Sequence, residues 1–396
     1  MKITHLIKAR LVAAAALCAG LGVATQASAL ERHYFVDLDS GTVRELENLG
    51  DRYPKPAAIN NAGQVVGYLE TDSGGHHSAF ITGPNGRGMF DLGEMFQVGL
   101  PEGRFRESYA YDINDDGKVV GDTWNPGSEA FMTGPNGLDY KRLDLGGRYS
   151  IASGINTAGQ VVGFVDFPGQ AFITGPDGKG VTELGTLGGL ESAASHINDI
   201  GQVVGYSTTT AEDAYPSHAF ITGADGEGMR DLGTLGGLDS WASAINDAGQ
   251  VVGSSRFTGE ELSGPYHAFI TGPDGTGMRD LGTLGGIDSD SYASGINDDG
   301  QVVGYSSTPG GAVHAFITGP DGVGMTDLNS LIDLPDGVTL IGAIDINNAG
   351  QVVATAQIIP EPETYAMLLA GLGVIGFMAR RKKAAIPGRT AARLIV

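Results

Sequence analysis

Histidine and carboxylate are the side chains here that could do chemistry, and both recur at fixed points in the sequence. His218, His267 and His314 each open a His-Ala-Phe tripeptide, and His33 keeps the histidine in a variant setting. At the corresponding points elsewhere the residue is Ser78, Glu129 or Gln170. A metal centre needs several ligands converging from defined positions. Histidines spread one per repeat converge only by facing a common channel, and some repeats lack the imidazole. The expected role is a histidine at a strand start, hydrogen-bonded to a neighbouring blade of sheet. Carboxylates stand near glycine in turns, at Asp115, Asp116, Asp199, Asp247, Asp298 and Asp299. Hard oxygen ligands at turns suit calcium, yet no loop carries a spaced Asp-x-Asn-x-Asp-Gly run with a closing glutamate. Turn geometry is the favoured role for these aspartates. Calcium stays open, and no other cofactor or metal is expected.

Nucleophile and phosphate motifs are missing. There is no Gly-x-Ser-x-Gly elbow, and the Gly-Thr-Leu-Gly-Gly segments (185–189, 233–237 and 282–286) lack a following lysine and helix. No catalytic residue is expected and the chain reads as a non-enzyme. Binding is the remaining chemistry. The least regular segments are 95–108, 208–216 and 256–266, and they carry Phe96, Phe105, Tyr215, Phe257 and Tyr266. Function concentrates on such loops, and aromatic rings there could stack on sugars.

The elements that would position these residues follow from a repeat. The phrase Ile-Asn-x-x-Gly-Gln-Val-Val-Gly recurs, with its asparagines at Asn60, Asn114, Asn156, Asn198, Asn246, Asn297 and Asn347. A second phrase, Ala-Phe-Ile-Thr-Gly-Pro-Asp-Gly, places phenylalanines at Phe80, Phe131, Phe172, Phe220, Phe269 and Phe316. His33-Tyr34-Phe35-Val36 followed by Asp39-Ser40-Gly41 is a degenerate further copy. One unit, read from 218 to 255, gives four short strands: 218–222, 229–232, 241–245 and 250–254. Asp225-Gly226 has the chemistry of a tight hairpin. Asn246 is placed to bond backbone locally and Gly249 to take a left-handed conformation.

Four short strands per unit with glycine turns make one propeller blade. The fold expected over 30–359 is therefore all-β, a seven-bladed β-propeller of four-stranded repeats, which removes exposed sheet edges by closing into a ring. An open β-solenoid shares the periodicity but usually has shorter coils. The chain enters the ring on a Phe strand and leaves it on the Gln-Val-Val strand 351–355. The sequence leaves open which sheet that last strand completes.

Each end carries a signal. Lys2, Lys8 and Arg10 precede an uncharged Ala/Val/Leu run that closes on Ala27-Ser28-Ala29. That order is a secretory leader over 1–29, cut after Ala29. Cys18, the single cysteine, lies within it, so the exported form has no disulfide. At the other end Pro360, Glu361 and Pro362 precede an uncharged run over 364–379, then Arg380, Arg381, Lys382 and Lys383. The run reads as a short transmembrane helix, with the four cations holding its end in the cytoplasm. Residues 384–396 read as a disordered tail.

The segment PEPETYAMLLAGLGVIGFMARRKK resembles a PEP-CTERM sorting signal, and Pro360, Glu361 and Pro362 match its motif. The resemblance implies a Gram-negative bacterium, an exosortase-type processing enzyme as partner, and delivery to the outer surface or an extracellular polysaccharide matrix. The repeats resemble the bacterial extracellular HAF repeats. The copy HAFITGPDGTGMRDLGTLGGIDSDSYASGINDDGQVVGYS, ending at Ser306, is the clearest. That likeness implies an extracellular β-rich protein and no particular reaction.

Charge narrows the partners. The chain has 24 Lys plus Arg against 46 Asp plus Glu, a net −22. Such a surface repels phosphate backbones, so nucleic acid is excluded as a partner. The expected function is a non-enzymatic scaffold or binding module of the cell surface. An enzyme acting on polysaccharide in the propeller channel is one alternative, and it requires two or more acidic or basic groups converging in a pocket. A purely structural surface-layer protein is the other.

Overall fold

The paired valines and the Ala-Phe-Ile triplets dictate sheets buried on both faces. Side chains alternate along a strand, so consecutive apolar residues need cover on each side. In the computed structural model, which describes residues 30–71, 76–97, 106–124, 127–166, 169–210, 216–257 and 264–358, that is what they obtain. Val203 packs with Val162, Ala171, Ile173 and Phe220 on one side of its sheet. Val204 packs with Ala219, Ile221, Ala242 and Phe269 on the other. All six phenylalanines of the second phrase are fully buried, each burial being worth roughly 1.5–3 kcal/mol.

Glu31–Pro335 and Thr339–Ala356 form one compact unit. The described residues of a second unit are Leu30, 336–338, 357 and 358. The described strands form seven four-stranded antiparallel sheets, a seven-bladed β-propeller. Blade 1 runs outward through Arg52–Ile59, Val65–Thr71, Ser78–Gly83 and Arg87–Asp91. Five more blades follow in sequence. Their inner strands are Glu107–Ile113, Ser150–Ile155, Ser192–Ile197, Gly236–Ile245 and Ser291–Ile296. Blade 7 is shared between the ends of the chain: Val338–Ile346 and Gln351–Ile358 pair on with Leu30–Asp37 and Thr42–Glu45. His33 Nδ1 lies 3.2 Å from Thr355 Oγ1 across this seam, and Leu38 N donates to Gly350 O at 3.2 Å.

The blade is out of phase with the unit read from the sequence. Residues 218–255 straddle two sheets: 217–221 and 230–231 are the outer strands of blade 4, whereas 236–245 and 251–257 open blade 5. Gly236 and Gly237, expected in a loop, begin the inner strand of blade 5. Turn chemistry behaves as expected. Asn85, Asn136, Asp177, Asp225, Asp274 and Asp321 all hold φ between 54° and 57°, each followed by a glycine of positive φ. Asn246 Oδ1 accepts from Gln250 N at 2.9 Å, and Gly249 has φ 74°.

Among the described residues no helix is long and apolar enough to cross a membrane. The leader 1–29 with Ala27 and Ala29, the expected helix 364–379, the residues Pro360, Glu361, Pro362, Arg380, Arg381, Lys382 and Lys383, and the tail 384–396 all lie outside the described residues.

Candidate functional site

Each inner strand ends on isoleucine followed by the repeat asparagine, which brings one asparagine per blade to the same level of the central channel. The asparagines are nearly fully buried and form a closed ring. Asn60 Nδ2 donates to the carbonyl of Asn114, Asn114 to Asn156, Asn156 to Asn198 and Asn198 to Asn246. Asn246 donates to Asn297, Asn297 to Asn347 and Asn347 back to Asn60. These contacts span 2.9–3.3 Å. The repeat glutamine reaches onward. Gln160, Gln202 and Gln250 donate through Nε2 to Asp225, Asp274 and Asp321 in the turn of the next blade. In blade 2, where lysine replaces glutamine, Lys118 Nζ meets Asp177 Oδ1 at 3.3 Å. The cross-blade half of these contacts has no local signal in the sequence.

The residue after the asparagine makes a second tier at the channel mouth. Asp115, Asp199, Asp247 and Asp298 accept backbone N–H bonds from Asn61, Thr157, Asp199 and Asp247 of the preceding blade at 2.9–3.0 Å. These turn aspartates thus serve backbone geometry, though of a neighbouring blade. Burial, together with Asp199 and Asp298, raises the carboxyl pKa of Asp247. Among the described residues no group of three or more His, Cys, Asp or Glu is placed to hold a metal ion.

One position before the inner-strand isoleucine lies a tier that sequence reasoning missed. Blades 1, 3, 5 and 6 carry Ala58, Gly154, Ala244 and Gly295, but blades 2, 4 and 7 carry Asp112, His196 and Asp345, all lining the channel. His196 Nε2 is 4.0 Å from Asp112 Oδ2. Burial pushes Asp112 up to about 7 and Asp345 up to about 6, and lowers His196. Each side chain is also a staple. Asp112 accepts from Ile113 N and, in the next blade, Ile155 N at 2.8 and 2.9 Å. Asp345 accepts from Ile346 N and, across the seam, Ile59 N at 2.8 and 3.0 Å. His196 Nδ1 accepts from Ile245 N at 3.4 Å. The channel volume here is about 160 Å³, below the roughly 300–1,000 Å³ of small-molecule pockets.

The His-Ala-Phe histidines are elsewhere. His218, His267 and His314 stand on third strands, with Nδ1 paired to Asp231, Asp280 and Asp327 at 2.8, 2.9 and 2.7 Å. Each of these aspartates lies on the outer strand of the same blade, because the two strands are antiparallel partners; among the described residues His267 alone of the three also reaches beyond its blade, its Nε2 lying 3.1 Å from the Ile287 carbonyl in the connection to blade 6. The irregular segments also depart from expectation. Phe96 ends a short helix, α1 (Gly93–Phe96), and is buried against Phe131 and Tyr140. Phe257 stacks on His267 at 4.2 Å. Phe105 and Tyr215 lie outside the described residues.

Residues 359–382 match the PEP-CTERM protein-sorting motif. No curated protein sequence matches the chain. Among solved structures, the β-propeller domain of the Trilobed protease from Pyrococcus furiosus is similar, with TM-score 0.52 and 14% identity over 78% of this chain and 92% of that one. A puromycin-hydrolysing peptidase from Mycobacterium tuberculosis has TM-score 0.50 and 13% identity over 75% of this chain and 50% of its own. A TolB from Agrobacterium tumefaciens has TM-score 0.46 and 11% identity over 84% and 100%. At these identities the likeness concerns the propeller fold alone. The Pyrococcus domain is described as having an open velcro topology, whereas here strands from both ends of the chain pair within blade 7.

Proposed function

We propose that this chain is an exported, non-enzymatic propeller scaffold that binds extracellular polysaccharide at the cell surface, delivered by an exosortase-type enzyme. The observation that carries the reading is the sorting motif at 359–382, which begins directly after the last propeller strand, Gln351–Ile358. In this reading the leader 1–29 is cut after Ala29. The helix 364–379 holds the chain in the membrane, with Arg380, Arg381, Lys382 and Lys383 on the cytoplasmic side, and processing occurs near Pro360, Glu361 and Pro362. The body belongs with the HAF repeats, and the host is Gram-negative. Support for a scaffold comes from the channel mouth, where the polar groups of the ring are committed to blade–blade bonds. The test is fractionation of the source cells expressing the full chain or a variant with Pro360, Glu361 and Pro362 all changed to alanine. Surface or matrix delivery is expected for the first and membrane retention for the second; equal delivery overturns the sorting claim. Co-sedimentation with the host's own extracellular polysaccharide, with calcium and with a chelator, tests the binding claim and the calcium option.

Asp112, His196 and Asp345 support a second reading, an enzyme acting on polysaccharide in the channel. They meet its requirement for converging titratable groups, while the small channel volume and the staple bonds argue against it. Release of reducing ends from that polysaccharide, abolished by Asp112→Asn, would establish the enzyme over the scaffold.

A further inference from the structure

We propose that the outer strand of blade 3, Lys179–Glu183, is a docking edge for a second copy of this chain, and that two copies pair there strand to strand about a two-fold axis at Val181. Propellers leave only short, protected outer edges, and this edge is the exception. It is one of the two longest outer strands among the described residues, and all five of its residues are exposed. In blade 1, whose outer strand has the same length, Met89 and Asp91 are half-buried.

Position by position, blade 3 lacks the contacts that fasten the other edges. Where it has Val181, other blades place a longer side chain. Met89, Tyr140, Met229, Met278 and Met325 each pack against a core cluster, whereas Val181 is 42% exposed. One residue on, Lys141, Arg230 and Arg279 donate to backbone carbonyls in the turn of the next blade, and blade 3 has Thr182. At the following position Asp231, Asp280 and Asp327 hold the histidines of their own blades. Blade 3 has Glu183, and its third strand offers Gln170, whose Nε2 instead donates to the Leu190 carbonyl at 2.9 Å. The side chains of Lys179 and Glu183 make no ion pair or hydrogen bond among the described residues.

An edge strand offers unpaired backbone N–H and C=O groups to another strand. The side chains choose which strand. Lys-Gly-Val-Thr-Glu complements itself when run antiparallel: Val181 faces Val181, and each Lys179 faces the partner's Glu183. Opposite charges across a strand pair stabilise it, and like charges destabilise it. Parallel pairing in register would set lysine on lysine and glutamate on glutamate. The lysine that guards an edge against random partners therefore admits this partner in one orientation. Such an interface is isologous and closes at two copies. Gly180 holds φ 70°, as Gly88, Gly228, Gly277 and Gly324 do in other blades. That bend belongs to the repeat, and the long lysine arm reaches across it. The net charge of −22 on each copy opposes association at long range, but salt screens it beyond about 8 Å under physiological conditions.

Cysteine cross-linking reads the axis directly. Cys18→Ser in the full chain removes the single native cysteine. In that background Val181→Cys, oxidised with diamide at about 0.15 M salt, should give a disulfide-linked dimer on a non-reducing gel, because residues that face each other across paired strands lie within disulfide reach. Phe90→Cys, on the equally long edge of blade 1, should give none. Adding Glu183→Lys to Val181→Cys should cut the dimer about tenfold, and adding Lys179→Glu instead should do the same. Mixing those two chains should restore it, since each lysine again meets a glutamate. Absence of a Val181→Cys dimer, or equal cross-linking through Phe90→Cys, would overturn the docking edge. A dimer untouched by either charge change, or a mixture that stays monomeric, would overturn the antiparallel pairing.

Discussion

Replacing Asn198 by alanine removes one link of the asparagine ring and tests whether the ring holds the blades together. The side chain is 4% exposed. Its Nδ2 donates to Gln202 Oε1 at 2.9 Å and to the Asn246 carbonyl at 3.1 Å, and its Oδ1 accepts from Gln202 N at 2.9 Å. Each such bond is worth about 0.5–1.5 kcal/mol net, and an abandoned buried partner adds its desolvation cost. The expected loss is therefore about 2–4 kcal/mol. Equilibrium unfolding in urea, with the slope compared against wild type to confirm a common unfolding reaction, gives the number. Asn347→Ala removes the equivalent bonds at the join of blades 7 and 1 and should lose a similar amount. A loss below about 1 kcal/mol in both variants would show that water replaces the amide at no cost, and the ring could not then be credited with joining the blades.

Three further outcomes are expected. Asp112 and Asp345 prefer to be protonated in the fold, at about 7 and about 6 against an unfolded value of 3.8. Between those limits the folded state holds more protons than the unfolded one. The contribution of these two carboxyls to stability should therefore fall as pH rises from about 4 to about 7 and level off above, against the opposite contribution of the buried, pKa-lowered His33 and His196; across that range the melting temperature of Asp345→Asn should rise relative to that of wild type. Gly205→Ala should cost more than about 2 kcal/mol, because the new Cβ would lie 2.0 Å from the Ala193 carbonyl oxygen, and a denaturation midpoint within error of wild type would contradict that geometry. Lys118→Gln restores the residue found at this place in the other repeats and should change stability by less than about 0.5 kcal/mol, since the ion pair it removes is part-exposed. Unfolding in low and high salt should show less salt dependence in the variant.

The sequence made the repeat count and the turns legible because both are local. Val203 and Val204, or Ala219 and Phe220, state by adjacency that a sheet is covered on both faces. Asp225-Gly226 states its own backbone angles. The phase of the blade was not legible, because any of four circular shifts of the unit gives the same string. Strand pairing chooses among them, and in blade 7 it does so through Leu30–Asp37 and Gln351–Ile358, a contact that joins opposite ends of the chain. Asn198 announced its bond to Gln202 but not its bond to Asn246, whose acceptor lies in another repeat. Asp112, His196 and Asp345 did leave a signal. They are the polar exceptions at a position otherwise held by Ala58, Gly154, Ala244 and Gly295, and aligning the repeats column by column would have exposed them.

The shared seventh blade sets an order of events during synthesis. Blades 1 to 6 are each contiguous in sequence and can form as the chain lengthens. The hairpin of Leu30–Asp37 and Thr42–Glu45 has no sheet to join until residues more than 300 positions later are made, as with Asp37 and Gln351, which stand 314 apart. Bringing such distant segments together costs about 5 kcal/mol of chain entropy if nothing lies between them. Six finished blades reduce that cost by carrying the late strands back beside the early ones. Until then the waiting hairpin is an open edge, and in a crowd of nascent chains the final strands of one molecule can complete the seventh blade of another, giving an exchanged dimer.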